Sequence, residues 1–305
     1  TFEHIFHTNH EQMTQQIITS PETEVNHVLR QVSDDFPAQV ASVIAKTYPN
    51  QQVVQMISSQ IDADRMDYLL RDSYFTGTKY GNFDLTRILR VMRPYHGGIA
   101  FNFSGMHAVE DYIVSRFQMY QQVYFHPVSR SMEVILSSLL KRAKDLYEMD
   151  QLPHDFAYET LNPFFDNQFS LEQYLKLDDG VLNTCFSIWS ECDDHILKDL
   201  ARRFLNRKPL KSAKVNDDTR SLLPTLRKLI AEAGFDPYYY AATNDSFDLP
   251  YDSYNPNAKK PQTQIELMQT DGSLIELSTV STLVKAISGK ITGDERFFFP
   301  REMLA

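Results

Sequence analysis

From His107 to Tyr147 apolar residues return at helical spacing, with one proline, Pro127, inside the run. A helix of that length must cover an apolar stripe along one side, and neighbouring helices are the simplest cover. The spacing predicts one long helix bent at Pro127, where the ring removes an amide donor and crowds the preceding turn. The same period recurs around it. Val25, Val28 and Leu29 mark one helix, and Val40, Val43 and Ile44 mark another with Pro37 near its start. A further helix runs from about Ile61 to Phe75 and stops at Thr76-Gly77, and Asp84 caps a short one that reaches Val91 before Pro94. Later helices fit 171–176, 180–190 and 196–206. Within this run Gly97-Gly98, followed by Ile99, Phe101 and Phe103, predicts a β-hairpin near 96–106.

After Lys208-Pro209 the period changes. Strands are expected over 212–215, 238–243 and 296–299, with helices over 222–233 and 281–287. A hairpin is expected to join 264–268 to 273–277 through Thr270-Asp271-Gly272. Residues 244–261, rich in Asn, Asp, Pro and Tyr, read as a long surface loop. The expectation is a mainly α protein: a helical domain over 1–207, holding the hairpin, and a small α+β domain over 208–305.

Hydrophobic content of 42% suits a folded core, and a net charge of −10 argues against wrapping nucleic acid or coating an anionic membrane. The run Val134–Leu140 is interrupted by Ser and is too short to cross a bilayer, and no signal segment opens the chain, so a cytoplasmic protein is expected. Cys185 and Cys192, seven apart, are expected to be free thiols.

The segment Ser59-Gln-Ile-Asp-Ala-Asp-Arg-Met-Asp-Tyr-Leu-Leu-Arg-Asp72 carries the chemistry. At 100° per residue Asp64, Asp67, Tyr68, Arg71 and Asp72 share one side, Arg65 sits at its edge, and Met66, Leu69 and Leu70 face the core. One reading is a solvated face stitched by pairs such as Asp67–Arg71. The other is a face for metal and phosphate, since carboxylates suit hard cations and guanidinium matches phosphate geometry. Arg116, Tyr120 and Tyr124 form a stripe that an interhelical seam alone would explain. His4, His7 and His10 drift round a helix, and His154-Asp155 reads as a surface turn.

The run from Ile61 to Asp72, followed by Asn82-Phe-Asp84 and Arg87, resembles the HD-domain deoxynucleoside triphosphate (dNTP) triphosphohydrolases, the bacterial dGTP-activated kind above all. Thr1-Phe-Glu3 with His10-Glu-Gln12 resembles the segment directly after that family's HD-x-G-H-G-P-[FY]-S-H stretch. Arg116, Tyr120, Tyr124 and His126 resemble its substrate-helix pattern. The resemblance covers at least residues 1–130 and implies an HD-domain-like helical bundle. It also implies that the chain is the C-terminal two-thirds of a protein whose other HD ligands precede Thr1.

By that resemblance Asp64 is the last of four ligands to a divalent ion (Mg, Mn, Fe or Zn). Arg65 and Arg116 meet substrate phosphates, Tyr68 and Asp72 hold the 3′-hydroxyl, and Tyr124 packs on the deoxyribose. Tyr120 stands where the mammalian relative has His. Glu3 and His10 support the catalytic His, with Glu3 in place of the family's usual Asp. Arg87 and His126 belong to a regulatory pocket. The implied reaction is hydrolysis of a dNTP to deoxynucleoside and triphosphate, in a homotetramer activated by a dGTP-like nucleotide. The alternatives are an HD phosphohydrolase with another nucleotide substrate, or a non-catalytic module binding nucleotide or single-stranded nucleic acid.

Overall fold

The structure, a computed structural model, describes residues 2–248, 251, 264–290 and 292–304. Its strands among these residues are β1 (Met92–Tyr95), β2 (Gly98–Asn102), β3 (Lys211–Val215), β4 (Ala242–Asp248), β5 (Glu266–Met268), β6 (Leu274–Glu276) and β7 (Thr292–Phe299). Helices dominate the rest, as expected of a mainly α, HD-like fold with a smaller α+β part. The chain divides into two compact units, both discontinuous: residues 1–13, 126–246 and 294–305 form one, and 14–125 with 247–293 form the other. The boundary expected at residue 207 falls inside the first of these.

In the unit built around 14–125, helices α1 (Gln51–Ile57), α2 (Ala63–Thr76), α3 (Leu85–Val91) and α4 (Met106–Met119) surround a core that includes Met66, Leu69, Ile88, Val109 and Ile113. Helix α2 starts where it does because Asp62 accepts the Arg65 amide, a cap contributing about 1 kcal/mol. It stops at Gly77, whose φ of +70° is one that glycine adopts without strain. Asp84 caps α3 in the same way, on the Arg87 amide.

The expected hairpin is present but shorter. β1 and β2 pair from Met92↔Phe101 to Tyr95↔Gly98 around His96-Gly97, and Phe103–Gly105 turns into a 3₁₀ helix. A two-stranded hairpin is marginal alone. Here β2 is extended by β5 in parallel, and β6 completes a four-stranded sheet in the order β1-β2-β5-β6. The second predicted hairpin, turning at Gly272 (φ +82°), is therefore part of the first one's sheet. A Cβ at Gly98, whose φ is +148°, would push aside the end of the Gln55 side chain of α1, whose Oε1 accepts the Ile99 amide.

The long helix expected over 107–147 is interrupted. Helix α4 ends at Met119, residues Tyr120–Tyr124 form a π-helical turn, and a new helix α5 (Pro127–Glu148) begins at Pro127. The cause is local: a residue before proline is driven to extended backbone, and His126 has ψ 134°. In the other unit α5 packs against α6 (His195–Leu205) over a core with Leu139, Trp189 and Leu197 buried. β3, β7 and β4 form a three-stranded sheet in the order β3-β7-β4.

Two expectations after residue 208 need correction. Residues 238–243 are not one strand, because Asp236 caps a helical turn that Pro237 opens, and the strand starts only at Ala242. That strand runs to Asp248, so 244–248 are not loop; 249–250 and 252–261 lie outside the described residues. Asp155 of the His154-Asp155 pair caps a helix, Phe156–Phe165, that periodicity did not reveal. Both cysteines are free, with Cys185 buried. Among the described residues no helix is long and apolar enough to cross a membrane.

Candidate functional site

Helix α2 presents its polar residues in two sets. Asp67 and Arg71 are exposed and pair with each other at 2.6 Å, which is the solvated-face reading realised. Arg65, Tyr68 and Asp72 are half-buried and turn toward other residues of the unit. The Arg65 guanidinium lies on the Asp62 carboxylate and donates to the Ser59 carbonyl at 2.6 Å. Burial works against its charge, yet Asp62 overrides burial and the Arg65 pKa rises.

Tyr68 and Asp72 meet the residues around the π turn. The Tyr68 and Tyr120 hydroxyls stand 3.4 Å apart, and the Tyr124 hydroxyl donates to Asp72 Oδ2 at 2.6 Å. The Tyr124 ring lies edge-on to both Tyr68 and Tyr120, with centroids 6.3 and 5.0 Å away. Arg116 is buried on α4; its Nη1 donates to Gln60 Oε1 at 2.8 Å, and its guanidinium lies 5.5 Å from the Tyr120 ring centre. Thus Tyr68, Asp72, Arg116, Tyr120 and Tyr124 form one polar and aromatic wall, with Arg65 one turn before Tyr68 on the same helix. The π turn is the element that no spacing rule revealed. Its i→i+5 bond, Phe125 amide to Tyr120 carbonyl at 2.8 Å, resets the helix where Tyr120 and Tyr124 must both face Tyr68.

Burial raises the pKa of the Tyr68 phenol, and the Tyr120 hydroxyl adds to the shift. Burial and the Asp72 carboxylate do the same for Tyr124. Both phenols therefore stay protonated at neutral pH and remain hydrogen-bond donors.

Asp64 sits in the first turn of the same helix, where the helix dipole favours an anion, and its side chain is exposed. Its neighbour Asp62 is the buried one. Among the described residues no three His, Cys, Asp or Glu side chains come together in a way that would hold a metal ion. Asp64 alone does not meet the three or more protein ligands that catalytic metal sites generally use. The described residues by themselves therefore do not fit a metal centre.

The remaining candidates lie elsewhere. Glu3 Oε1 accepts both the His10 amide, at 2.7 Å, and the His10 ring Nδ1, at 2.6 Å. These bonds hold the Glu3 carboxyl below its usual pKa. Arg87 is exposed and donates to the Ser104 carbonyl at 3.1 Å, and exposed His126 caps α5 through the Val128 amide at 3.3 Å. Of the three-histidine stripe, the His4 side chain lies outside the described residues.

Residues 83–222 match the family model of the HD associated region. The chain is 48% identical to the uncharacterized protein YwfO of Bacillus subtilis over all of its own length and 70% of that protein's. It is 31% identical to the uncharacterized MG461 homolog of Mycoplasma pneumoniae, over 76% of this chain and 56% of the relative. Among solved structures, a phosphohydrolase (BT4208) of Bacteroides thetaiotaomicron superposes with a TM-score of 0.73, covering 95% of this chain and 75% of its own at 23% identity. A hypothetical protein of Aquifex aeolicus gives 0.64, at 97% and 73% coverage and 22% identity. These two establish the fold. The extent and identity of the match to YwfO show that the chain belongs to the YwfO family, and residues 83–222 within it match the HD associated region.

Proposed function

We propose that the protein of which this chain is part is an HD-type phosphohydrolase that cleaves a dNTP at the α-phosphate, releasing deoxynucleoside and triphosphate. The observation that carries the reading is the wall of three phenols, a carboxylate and a guanidinium on α2, α4 and the π turn, with a second guanidinium, Arg65, one turn away on α2. The fold shared with a protein named phosphohydrolase supports the reaction class. The resemblance of Ile61–Asp72 and its satellites supports the dNTP.

In this reading Arg65 and Arg116 offset phosphate charge in a partly desolvated setting, where such contacts count for more than in water. Tyr68 donates to the 3′-hydroxyl oxygen. Asp72, one oxygen already engaged by Tyr124, accepts from that hydroxyl with the other. The Tyr124 ring packs against the sugar where a ribonucleotide would carry its 2′-hydroxyl, and Tyr120 keeps Tyr68 and Tyr124 in place. Asp64 is this chain's one contribution to a divalent-metal site whose other ligands lie outside it. Glu3 fixes the His10 ring through Nδ1, and the pair supports the catalytic histidine. Arg87 contacts an activating dGTP-like nucleotide in a homotetramer.

The test is product analysis by phosphorus NMR with the full-length protein, a divalent metal, and dNTPs, NTPs and deoxynucleoside monophosphates in turn. Release of intact triphosphate from dNTPs is expected. Turnover of monophosphates alone would keep the phosphohydrolase and remove the dNTP. No hydrolysis of any of them would remove the enzyme.

A further inference from the structure

The segment Ser59–Asp62 leads into α2 and meets both arginines of the proposed phosphate site. Gln60 Oε1 holds Arg116, and the Ser59 carbonyl and the Asp62 carboxylate hold Arg65. Asp62 is 1% exposed, and both of its oxygens are used. Oδ1 accepts the Arg65 amide at 2.8 Å and so caps the helix. Oδ2 accepts the Ser59 amide at 3.0 Å and lies on Nη1 of the Arg65 guanidinium. A cap needs one oxygen, which Asn or Ser supplies without a charge. What the carboxylate adds is a charged acceptor for the guanidinium. The bonds of that guanidinium all run through Nη1, to Asp62 and to the Ser59 carbonyl at 2.6 Å. Nε and Nη2 bond to none of the described residues, and the side chain is 34% exposed. Arg65 is thus tied at one corner, and the edge that carries Nε–H beside Nη2–H is left open.

We propose that Asp62 is a positioning residue for the phosphate site: it holds Arg65 by Nη1 so that the Nε–Nη2 edge stands ready for two oxygens of the substrate's triphosphate. The role toward phosphate rests on reading Arg65 as a phosphate contact; the hold of Asp62 on Arg65 does not. That edge is the planar fork by which Arg takes two oxygens of one phosphate at once. A guanidinium fixed before its ligand arrives loses less freedom on binding. Asp62 also has an opposing effect, because its negative charge repels a triphosphate nearby. Removing the charge should therefore help the phosphates to bind while leaving Arg65 unaimed, so KM and kcat separate the two effects.

The experiment is steady-state kinetics of the full-length protein with dNTP and a divalent metal, comparing the parent with Asp62→Asn, Arg65→Ala and the double variant. Asparagine keeps the capping oxygen and sets an NH₂ group where Oδ2 met the guanidinium. The expected result is a kcat lowered about tenfold with KM not raised, since a misplacement of about 1 Å in a site can cost as much as 100-fold. Asp62→Ser, whose single oxygen caps the helix but is too short to reach Nη1, is expected to repeat it. Added to Arg65→Ala, Asp62→Asn is expected to lower kcat no further. An equal fall in both backgrounds, or turnover in Asp62→Asn at or above the parent rate, overturns the proposal. Crystal structures of the parent and of Asp62→Asn give a readout independent of turnover: the Arg65 guanidinium is expected on Asp62 in the parent and displaced in the variant. A guanidinium that stays in place overturns the positioning, whatever the protein hydrolyses. A displaced one in a protein that hydrolyses no dNTP removes the proposed function and leaves Asp62 as the residue that aims Arg65.

Discussion

Both units close some of their arginines, tyrosines and carboxylates into buried pairs, Asp62 with Arg65 and Tyr251 with Glu276 in the unit containing α2, and they differ in what is left half-buried. In the unit containing α5 and α6 the groups close on each other. Arg130, 1% exposed, lies on Asp294 and on Asn244. Arg142 holds both oxygens of Asp194, Arg203 holds Asp199 and Glu302, and the buried Tyr239 and Tyr240 hydroxyls donate to Asp145 and Asp199. In the unit containing α2 and α4, Tyr68, Tyr120 and Tyr124 are only half-buried and converge on one patch. Closed pairs of buried charge are how a fold satisfies what it buries. The proposed site lies where half-buried phenols gather beside the buried Arg116. Changes in the closed set are therefore expected to cost stability, and changes in the wall to cost turnover.

The largest effect is expected at Asp64. Asp64→Ala in the full-length protein should lower dNTP turnover by more than about 100-fold, because removing even an outer-shell partner of a metal site costs roughly 10–100-fold. Its circular dichroism should stay unchanged and its unfolding midpoint should fall only slightly, since the side chain is exposed and only a favourable charge at the helix start is lost. Turnover at the parent rate would remove Asp64 from the site. In the closed set the opposite is expected. Asp294→Ala leaves the buried Arg130 charge without its carboxylate and should lower unfolding stability by about 3 kcal/mol, by the usual cost of breaking such a pair. A loss under about 1 kcal/mol by denaturant titration would erase the distinction between the two regions.

A smaller effect belongs to selectivity. Tyr124→Ala should reduce the preference for dNTP over NTP, measured as a ratio of kcat/KM, by about tenfold, the scale on which a pocket rejects one extra group. An unchanged ratio would take Tyr124 away from the sugar. The smallest is a titration. The depressed Glu3 pKa means that its bonds to His10 hold above the ordinary carboxylate range and are lost as pH falls through the lowered value. By NMR, His10→Ala should bring the Glu3 titration part of the way back up, with the backbone bond retained. No movement would show that the His10 ring does not act on Glu3.

How far the sequence carries is visible in particular residues. Capping by Asp84, the stop at Gly77 and the Gly272 turn were readable because each is a local preference of one residue type. The parallel pairing of β2 with β5 was not, because it joins segments more than 160 residues apart and leaves no local trace. The π turn at Tyr120–Tyr124 was hidden because its residues fit α spacing equally well. Within the site, the stripe Arg116–Tyr120–Tyr124 left seam and pocket equally open. The structure adds the Tyr124 bond to Asp72, a contact across 52 residues that joins the stripe to α2 and that either reading would contain.

If the wall of Tyr68, Asp72, Arg116, Tyr120 and Tyr124 is a nucleotide site, it must hold the sugar and phosphates of its ligand. A crystal structure of the full-length protein with a non-hydrolysable dNTP analogue tests this directly. The 3′-hydroxyl is predicted within hydrogen-bond distance of Tyr68 and Asp72, with phosphate oxygens on Arg65 and Arg116. A nucleotide bound elsewhere, with water filling the space before Tyr124, would contradict it.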